Sequence, residues 1–218
     1  MRGKQAVIVG AAPCDGLEYL RPYLTGEDFI LCADGGESTA RRAGLVPDAY
    51  VGDNDSGGTG KAPSALLLPR EKDFTDSEAA LYRAAELGFR RVLLCACTGG
   101  RMDHHLANLC LLERARELGV EALLLDEDNE VRFVGPGSYE VENEPPYRYL
   151  SLLPLDERLT GVSMEGLRYC VQERTFLRTR TLGVSNEIPE GCTARITIGT
   201  GRGLLIRSDR LPSQTQTK

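Results

Sequence analysis

The chain has 218 residues, 41% of them hydrophobic, enough to bury one large core or two small ones. Its formal charge is −6, from 32 acidic and 26 basic side chains, and no Lys/Arg run marks a track for a nucleic-acid backbone. Neither nucleic acid nor a membrane is an expected partner, because no segment approaches the ~18 consecutive apolar residues of a bilayer span.

The first element is "AVIV", followed by Gly10, Ala11, Ala12 and Pro13. A basic start before an apolar stretch can mimic a secretory signal, but this stretch is too short and reads as a buried strand entering a loop. "FILCAD", "AYVGD", "ALLLP", "RVLLCAC" and "EALLLD" repeat that signal, and "ESTARRAGL", "TDSEAALYRAAELGF" and "MDHHLANLCLLERARELG" between them read as helices. Thr75 with Glu78 three residues on is a capping-box sequence that puts Asp76 in the first helical turn. Gly88 and Gly119 stand where left-handed C-terminal caps belong. This alternation predicts an α/β domain over 1–134, a mostly parallel, Rossmann-like sheet with helices on both faces. After about residue 130, runs such as "YRYLSLLPL", "TARITIG" and "GLLIRSD" lie between Gly, Pro and Asn. They predict a smaller, sandwich-like all-β domain over 135–211, and the polar "PSQTQTK" predicts a disordered tail over 212–218.

Seven cysteines, at 14, 32, 95, 97, 110, 170 and 192, are odd in number and have no repeating spacing, which argues against a disulfide framework and fits a reducing cytoplasm. Cys95 and Cys97, two apart in a strand, would share a face and could meet a metal. Zinc normally needs four ligands at recognisable spacing, so small core residues are the expected reading.

Ligands of open α/β sheets collect at the carboxyl ends of the strands, and four of those loops carry chemistry. Asp34-Gly35-Gly36 follows "FILCA"; "GDNDS" follows "AYV"; "EKDFTDSE" follows "ALLLPR"; "TGGRMDHH" follows "RVLLCAC". Asp53 and Asp55, two apart in extended backbone, project to one side. Two carboxylates so close either share a cation, with hard oxygen ligands favouring magnesium, or belong to a solvated Asx-rich turn. Asp73 and Asp76 lie at a helix start, where an acidic residue also serves simply to complement the dipole. Gly99 and Gly100 allow backbone N–H groups to approach a phosphate, and the planar fork of Arg101 suits phosphate oxygens. Asp103 then reads as an N-cap, and the adjacent His104 and His105 point in different directions on a helix. A cation site, a glycine-arginine loop and no positioned nucleophile suggest phosphoryl or diphosphoryl transfer. There is neither a P-loop nor a G-x-G-x-x-G fingerprint in "VGAAPCDG".

In this order, the four loops resemble the thiamine pyrophosphokinase family: Asp34-Gly35-Gly36, Gly52 to Ser56, Lys72 to Glu78, and Gly99 to His104, with "GVSNE" later supplying Ser185 and Asn186. The resemblance implies transfer of the terminal two phosphates of ATP to the hydroxyl of thiamine, giving thiamine diphosphate and AMP. It implies a catalytic set of Asp53, Asp55, Asp73, Asp76 and Arg101, with Asp53, Asp55 and Asp76 on Mg2+. ATP would be bound by Lys72, Gly99, Gly100, Arg101, Asp103 and His104, and thiamine by Asp34, Ser185 and Asn186. It also implies a homodimer with the active site at the interface. One departure is the absence of Trp, which some members stack on thiamine; "GLLIRSD" offers Leu205 and Ile206 instead. Rival readings are a diphosphokinase acting on a pterin, a magnesium phosphohydrolase and a non-catalytic nucleotide sensor. The phosphohydrolase reading suffers because its Asp-x-Asp normally follows the first strand, which here leads into "GAAPCDG".

Overall fold

A computed structural model of the chain describes residues 5–53, 63–69, 71, 73–143 and 146–210. The chain divides into two compact units, Met1–Glu127 and Asp128–Lys218. The division precedes the strand at residues 129–134 that a boundary at 134/135 would have left in the first unit.

The first unit contains β1 (Ala6–Val9), β2 (Phe29–Ala33), α1 (Gly36–Arg42), β3 (Ala49–Gly52), β4 (Ser64–Leu67), α2 (Asp76–Glu86), β5 (Arg91–Cys95), α3 (Met102–Glu117) and β6 (Glu121–Leu125). Its strands run parallel in the order β6-β5-β1-β2-β3-β4. The centre of this sheet is buried on both faces, which is why β1, β2 and β5 read as continuous apolar runs rather than alternating ones. Val7, Val9, Ile30, Cys32, Leu93 and Leu123 form one core with Leu20 and with Ala40 of α1. Leu20 belongs to a 3-10 turn over Glu18–Tyr23 for which the sequence carries no clear signal. Gly88 and Gly119 end α2 and α3 with φ of 88° and 70°, as a left-handed cap requires.

The second unit contains β7 (Asn129–Val134), β8 (Gly137–Glu142), β9 (Tyr147–Pro154), β10 (Arg158–Glu165), β11 (Val171–Leu177), β12 (Asn186–Glu187), β13 (Thr193–Ile198) and β14 (Gly203–Arg210). Two antiparallel sheets result, β12-β9-β14-β7 and β11-β10-β13-β8. Their facing side chains make a single core, with Val134, Leu150, Leu152 and Leu205 meeting Leu159, Val162, Met164, Phe176, Ala194 and Ile196. This is the sheet-on-sheet packing of a sandwich.

Candidate active site

The strand ends of the first unit approach one another more closely than side chains would permit. At Gly36 an added Cβ would lie 2.0 Å from the Val9 carbonyl oxygen, and at Gly10 one would lie 2.5 Å from that of Ala96. At Gly52 it would meet the Tyr50 hydroxyl at 2.5 Å and the Asp34 Cα at 3.2 Å. Glycine at these three positions lets the loops after β1, β2, β3 and β5 stack on each other. Asp34 directly follows β2 with a left-handed φ of 51°, and its N–H donates to the Val51 carbonyl at 2.9 Å. Such a conformation in a non-glycine residue costs energy and persists where surrounding contacts over-determine it.

Asp53 follows Gly52 and is half-buried, so it stands on the strand end next to that of Asp34. Asp55, Ser56 and Lys72 lie outside the described residues. Asp76 is the first residue of α2, and one of its carboxylate oxygens is buried; Asp73, three residues earlier, is exposed. The expected cap is there: Thr75 Oγ1 accepts the Glu78 N–H at 3.2 Å. The Glu78 carboxylate accepts the Tyr82 hydroxyl at 3.1 Å, pointing along the helix instead of back to Thr75. α2 packs against β1, β2 and β3, and an added Cβ at Gly10 would lie 2.8 Å from the Cys97 Sγ, so the loop after β1 abuts the loop after β5.

That loop begins at Ala96, whose φ of 49° ends β5 and whose N–H donates to the Tyr19 hydroxyl at 3.3 Å. Cys95 and Cys97 are core residues. The Cys97 thiol donates to the Cys95 carbonyl at 3.3 Å, and that of Cys95 to the Ile8 carbonyl at 3.4 Å. Burial pushes Cys97 up to about 12 and Cys95 well above its ordinary value, so both stay neutral. Among the described residues, no three His, Cys, Asp or Glu side chains gather into a metal-binding group. The magnesium trio implied by the resemblance includes Asp55, so the described residues hold two of its members, Asp53 and Asp76.

Gly99 and Gly100 adopt φ of 82° and 64°, and the Gly99 N–H donates to His105 Nδ1 at 3.3 Å. His105 thus faces the glycine loop, while His104 is exposed and gives its backbone N–H to Asp103 at 2.9 Å. Asp103 is not the N-cap; α3 starts at Met102 with Arg101 in the cap position, leaving Asp103 in the first turn. Its carboxylate accepts Arg101 Nε at 3.1 Å and Nη2 at 2.6 Å, and these bonds hold it at about 2. Both side chains are exposed, so solvent screens the pair and another anion can compete for the guanidinium.

Asn108 is a site residue that motif reading passes over. It lies on the buried stripe of α3 with Leu111, Leu112 and Ala115, and its Nδ2 donates to the Cys97 carbonyl at 2.8 Å. A polar residue at a core-stripe spacing was the legible signal. Thr98 Oγ1, bonded to Asp126 at 2.9 Å, anchors the next position. Asn108→Ala would leave the Cys97 carbonyl without this donor. We expect a loss of about 1–3 kcal/mol in denaturant unfolding and a raised KM for ATP, from a looser Gly99-Gly100-Arg101 segment.

In the second unit, Ser185 is exposed with φ of 58°, and its N–H donates to Ser151 Oγ at 2.9 Å. Asn186 is buried and directed inward. Its Oδ1 accepts the N–H of Tyr169 at 3.0 Å, and its Nδ2 donates to the carbonyl of the same residue at 2.8 Å. Leu205, at 1% exposure, is part of the core and presents no surface to a ligand; Ile206 is half-buried.

Residues 20–124 match a family model described as thiamin pyrophosphokinase, catalytic domain, and residues 138–205 match one described as thiamin pyrophosphokinase, vitamin B1 binding domain. The thiamine pyrophosphokinase of Bacillus subtilis (strain 168) is 29% identical over 206 residues, covering 91% of this chain and 95% of that protein. The crystal structure of the Bacillus subtilis enzyme superposes with a TM-score of 0.86 at 27% identity, covering 95% of this chain and 100% of that one. For the thiamin pyrophosphokinase of Geobacillus thermodenitrificans the TM-score is 0.82 at 30% identity, with 96% and 99% covered.

Proposed function

The chain belongs to the thiamin pyrophosphokinase family, and on that premise we propose how it carries out ATP-dependent diphosphate transfer to thiamine at the strand ends of its first unit. The products are thiamine diphosphate and AMP. The observation that supports this placement is the close approach at Gly10 and Gly36, which brings the loop after β1 against the loop after β5, leading into Gly99, Gly100 and Arg101, and against the start of α1 beside Asp34. The family models favour thiamine over a pterin acceptor, and a transferase over a phosphohydrolase.

The donor set fits magnesium: Asp53 and Asp76 offer only carboxylate oxygen, and Asp55 completes the set implied by the resemblance. When bound, the ion would neutralise phosphate charge and align the phosphates for in-line attack. The chain's own residues do the rest by position. The turned backbone at Gly99 and Gly100 approaches the phosphates, and Arg101 exchanges its Asp103 partner for phosphate oxygens. Lys72 adds positive charge, Asp73 orients the reacting groups, and His104, exposed beside Asp103, lies at the edge of the nucleotide site. Asp34 and Ser185 contact thiamine. Asn186 serves that contact indirectly, because its carboxamide is engaged with Tyr169.

The same reading takes the chain to be a homodimer in which Ser185 of one protomer completes the nucleotide site of its partner, and places helices on both faces of the parallel sheet. It also takes the cytoplasm as the compartment, in keeping with seven free cysteines. No helix among the described residues is long and apolar enough to cross a membrane. The test is incubation with ATP, magnesium and either thiamine or a hydroxymethyl pterin. AMP should form with thiamine alone; AMP formed from the pterin, or phosphate released with no acceptor, overturns the assignment.

A further inference from the structure

Residues 97–100 lead from the end of β5 to Arg101, and each is held by a different contact. The Cys97 carbonyl accepts Asn108 Nδ2 at 2.8 Å, and Thr98 Oγ1 is bonded to Asp126 at 2.9 Å. A Cβ on Gly100 would lie 3.0 Å from Pro13 Cδ, so the loop after β1 braces this residue. The Gly99 N–H donates to His105 Nδ1 at 3.3 Å. Of the two histidines in the chain, His105 is half-buried and faces this segment, while His104 is exposed. His105 and Asn108 stand three apart on α3 and so share a face. One accepts a backbone N–H and the other donates to a backbone carbonyl, so α3 secures the segment at both kinds of main-chain polar group.

The role of the imidazole follows from the direction of its hydrogen bond. Nδ1 can accept from Gly99 only through its lone pair, which puts the ring proton on Nε2. An N–H given to an imidazole is not available to a phosphate oxygen. The Gly100 N–H, by contrast, has no hydrogen-bond partner among the described residues. We propose that His105 is a positioning residue for nucleotide binding: its Nδ1 takes the Gly99 N–H and so fixes the left-handed turn that leaves the Gly100 N–H and the Arg101 guanidinium to the phosphates. The inference rests on the placement of the phosphates at this segment. His105 touches no phosphate itself and acts through Gly99. Two successive glycines, here at φ of 82° and 64°, need such a hold, because their backbone is otherwise free to sample many conformations. Ordering them only when the nucleotide arrives would weaken its binding.

The test uses the full-length enzyme with ATP, magnesium and thiamine. His105→Ala should raise the KM for ATP roughly three- to tenfold, the range of one net hydrogen bond, with kcat and the KM for thiamine nearly unchanged. His105→Asn should restore the wild-type KM, since Asn Oδ1 is the same number of bonds from the backbone as Nδ1 and can accept the same N–H. His105→Gln, whose oxygen lies one bond further out, should not. Nitrogen-15 NMR of the neutral imidazole should find its proton on Nε2. A wild-type KM for ATP in His105→Ala, even with a lowered denaturation midpoint, would mean that the bond serves only the fold and would overturn the proposal. So would His105→Asn behaving like His105→Ala, or a ring proton on Nδ1. Failure of the wild-type enzyme to form AMP from thiamine, read in the same assay, would instead overturn the functional reading beneath it.

Discussion

Asp76→Asn should lower AMP formation from ATP and thiamine roughly 10²–10³-fold while leaving the fold intact, the size of effect seen when one group stabilising transition-state charge is lost. The substitution keeps shape and removes charge. Asp76 opens α2, and its loss as a dipole partner costs only about 0.3–1 kcal/mol, while Thr75 still caps the helix. Far-ultraviolet circular dichroism and the denaturation midpoint should therefore stay close to wild type. A buried carboxylate oxygen in the first turn of a helix packed against the central strands is where a lost charge acts on the chemistry rather than on folding. Asp73→Asn, at an exposed position, should have the smaller effect. Unaltered AMP release from the Asp76 variant would remove this carboxylate from the mechanism.

Gly36→Ala should have the opposite signature, a loss of stability that carries activity down with it. The new methyl carbon would lie 2.0 Å from the Val9 oxygen, 2.7 Å from the Val9 carbonyl carbon and 2.8 Å from the Gly10 oxygen. All three are backbone atoms, so relief requires moving the end of β1 away from α1, and a rotamer change cannot supply it. A cost of about 3 kcal/mol is expected, at the top of the ordinary range for overpacking. Thermal unfolding measures it directly, with Gly135→Ala as the control because nothing lies within 4 Å of that position. The displaced Asp34 should also raise the KM for thiamine. Equal midpoints for Gly36→Ala and wild type would mean that the close approach of β1 and α1 is not required.

The loops that carry the chemistry were legible because parallel strands, buried on both faces, appear as uninterrupted apolar runs, and each run ends at a polar cluster. "FILCA" leads to Asp34 and "RVLLC" to the glycine-arginine loop, with strand ends displaced from the expected ones by no more than two residues. The caps at Thr75, Gly88 and Gly119 were equally readable, because capping is decided by residues three or four apart. Harder to read were β8, β10 and β11. Their exposed faces carry Glu, Arg and Gln, and their buried positions, such as Val162, Met164 and Phe176, gain an inward face only when the second sheet covers them.

Asn186 marks the limit of local reading. As part of "GVSNE" it belongs to a recognisable motif, which suggests a ligand contact, yet its carboxamide is spent on a residue 17 positions earlier. Asn108 is a parallel case, reaching back 11 positions to the carbonyl of Cys97. Asp103 shows the same at short range, since a one-residue difference in where α3 begins turns an expected cap into an ion-pair partner of Arg101. By itself, then, the sequence determined the strand and helix order, the caps, the polar loops at the strand ends and the family resemblance, all of which depend on neighbours within a turn or a strand. Only the tertiary structure decided which polar side chains remain available to a ligand and which are consumed in holding others in place. A side chain has a fixed number of hydrogen bonds to give, and its partners are chosen by where the chain closes on itself.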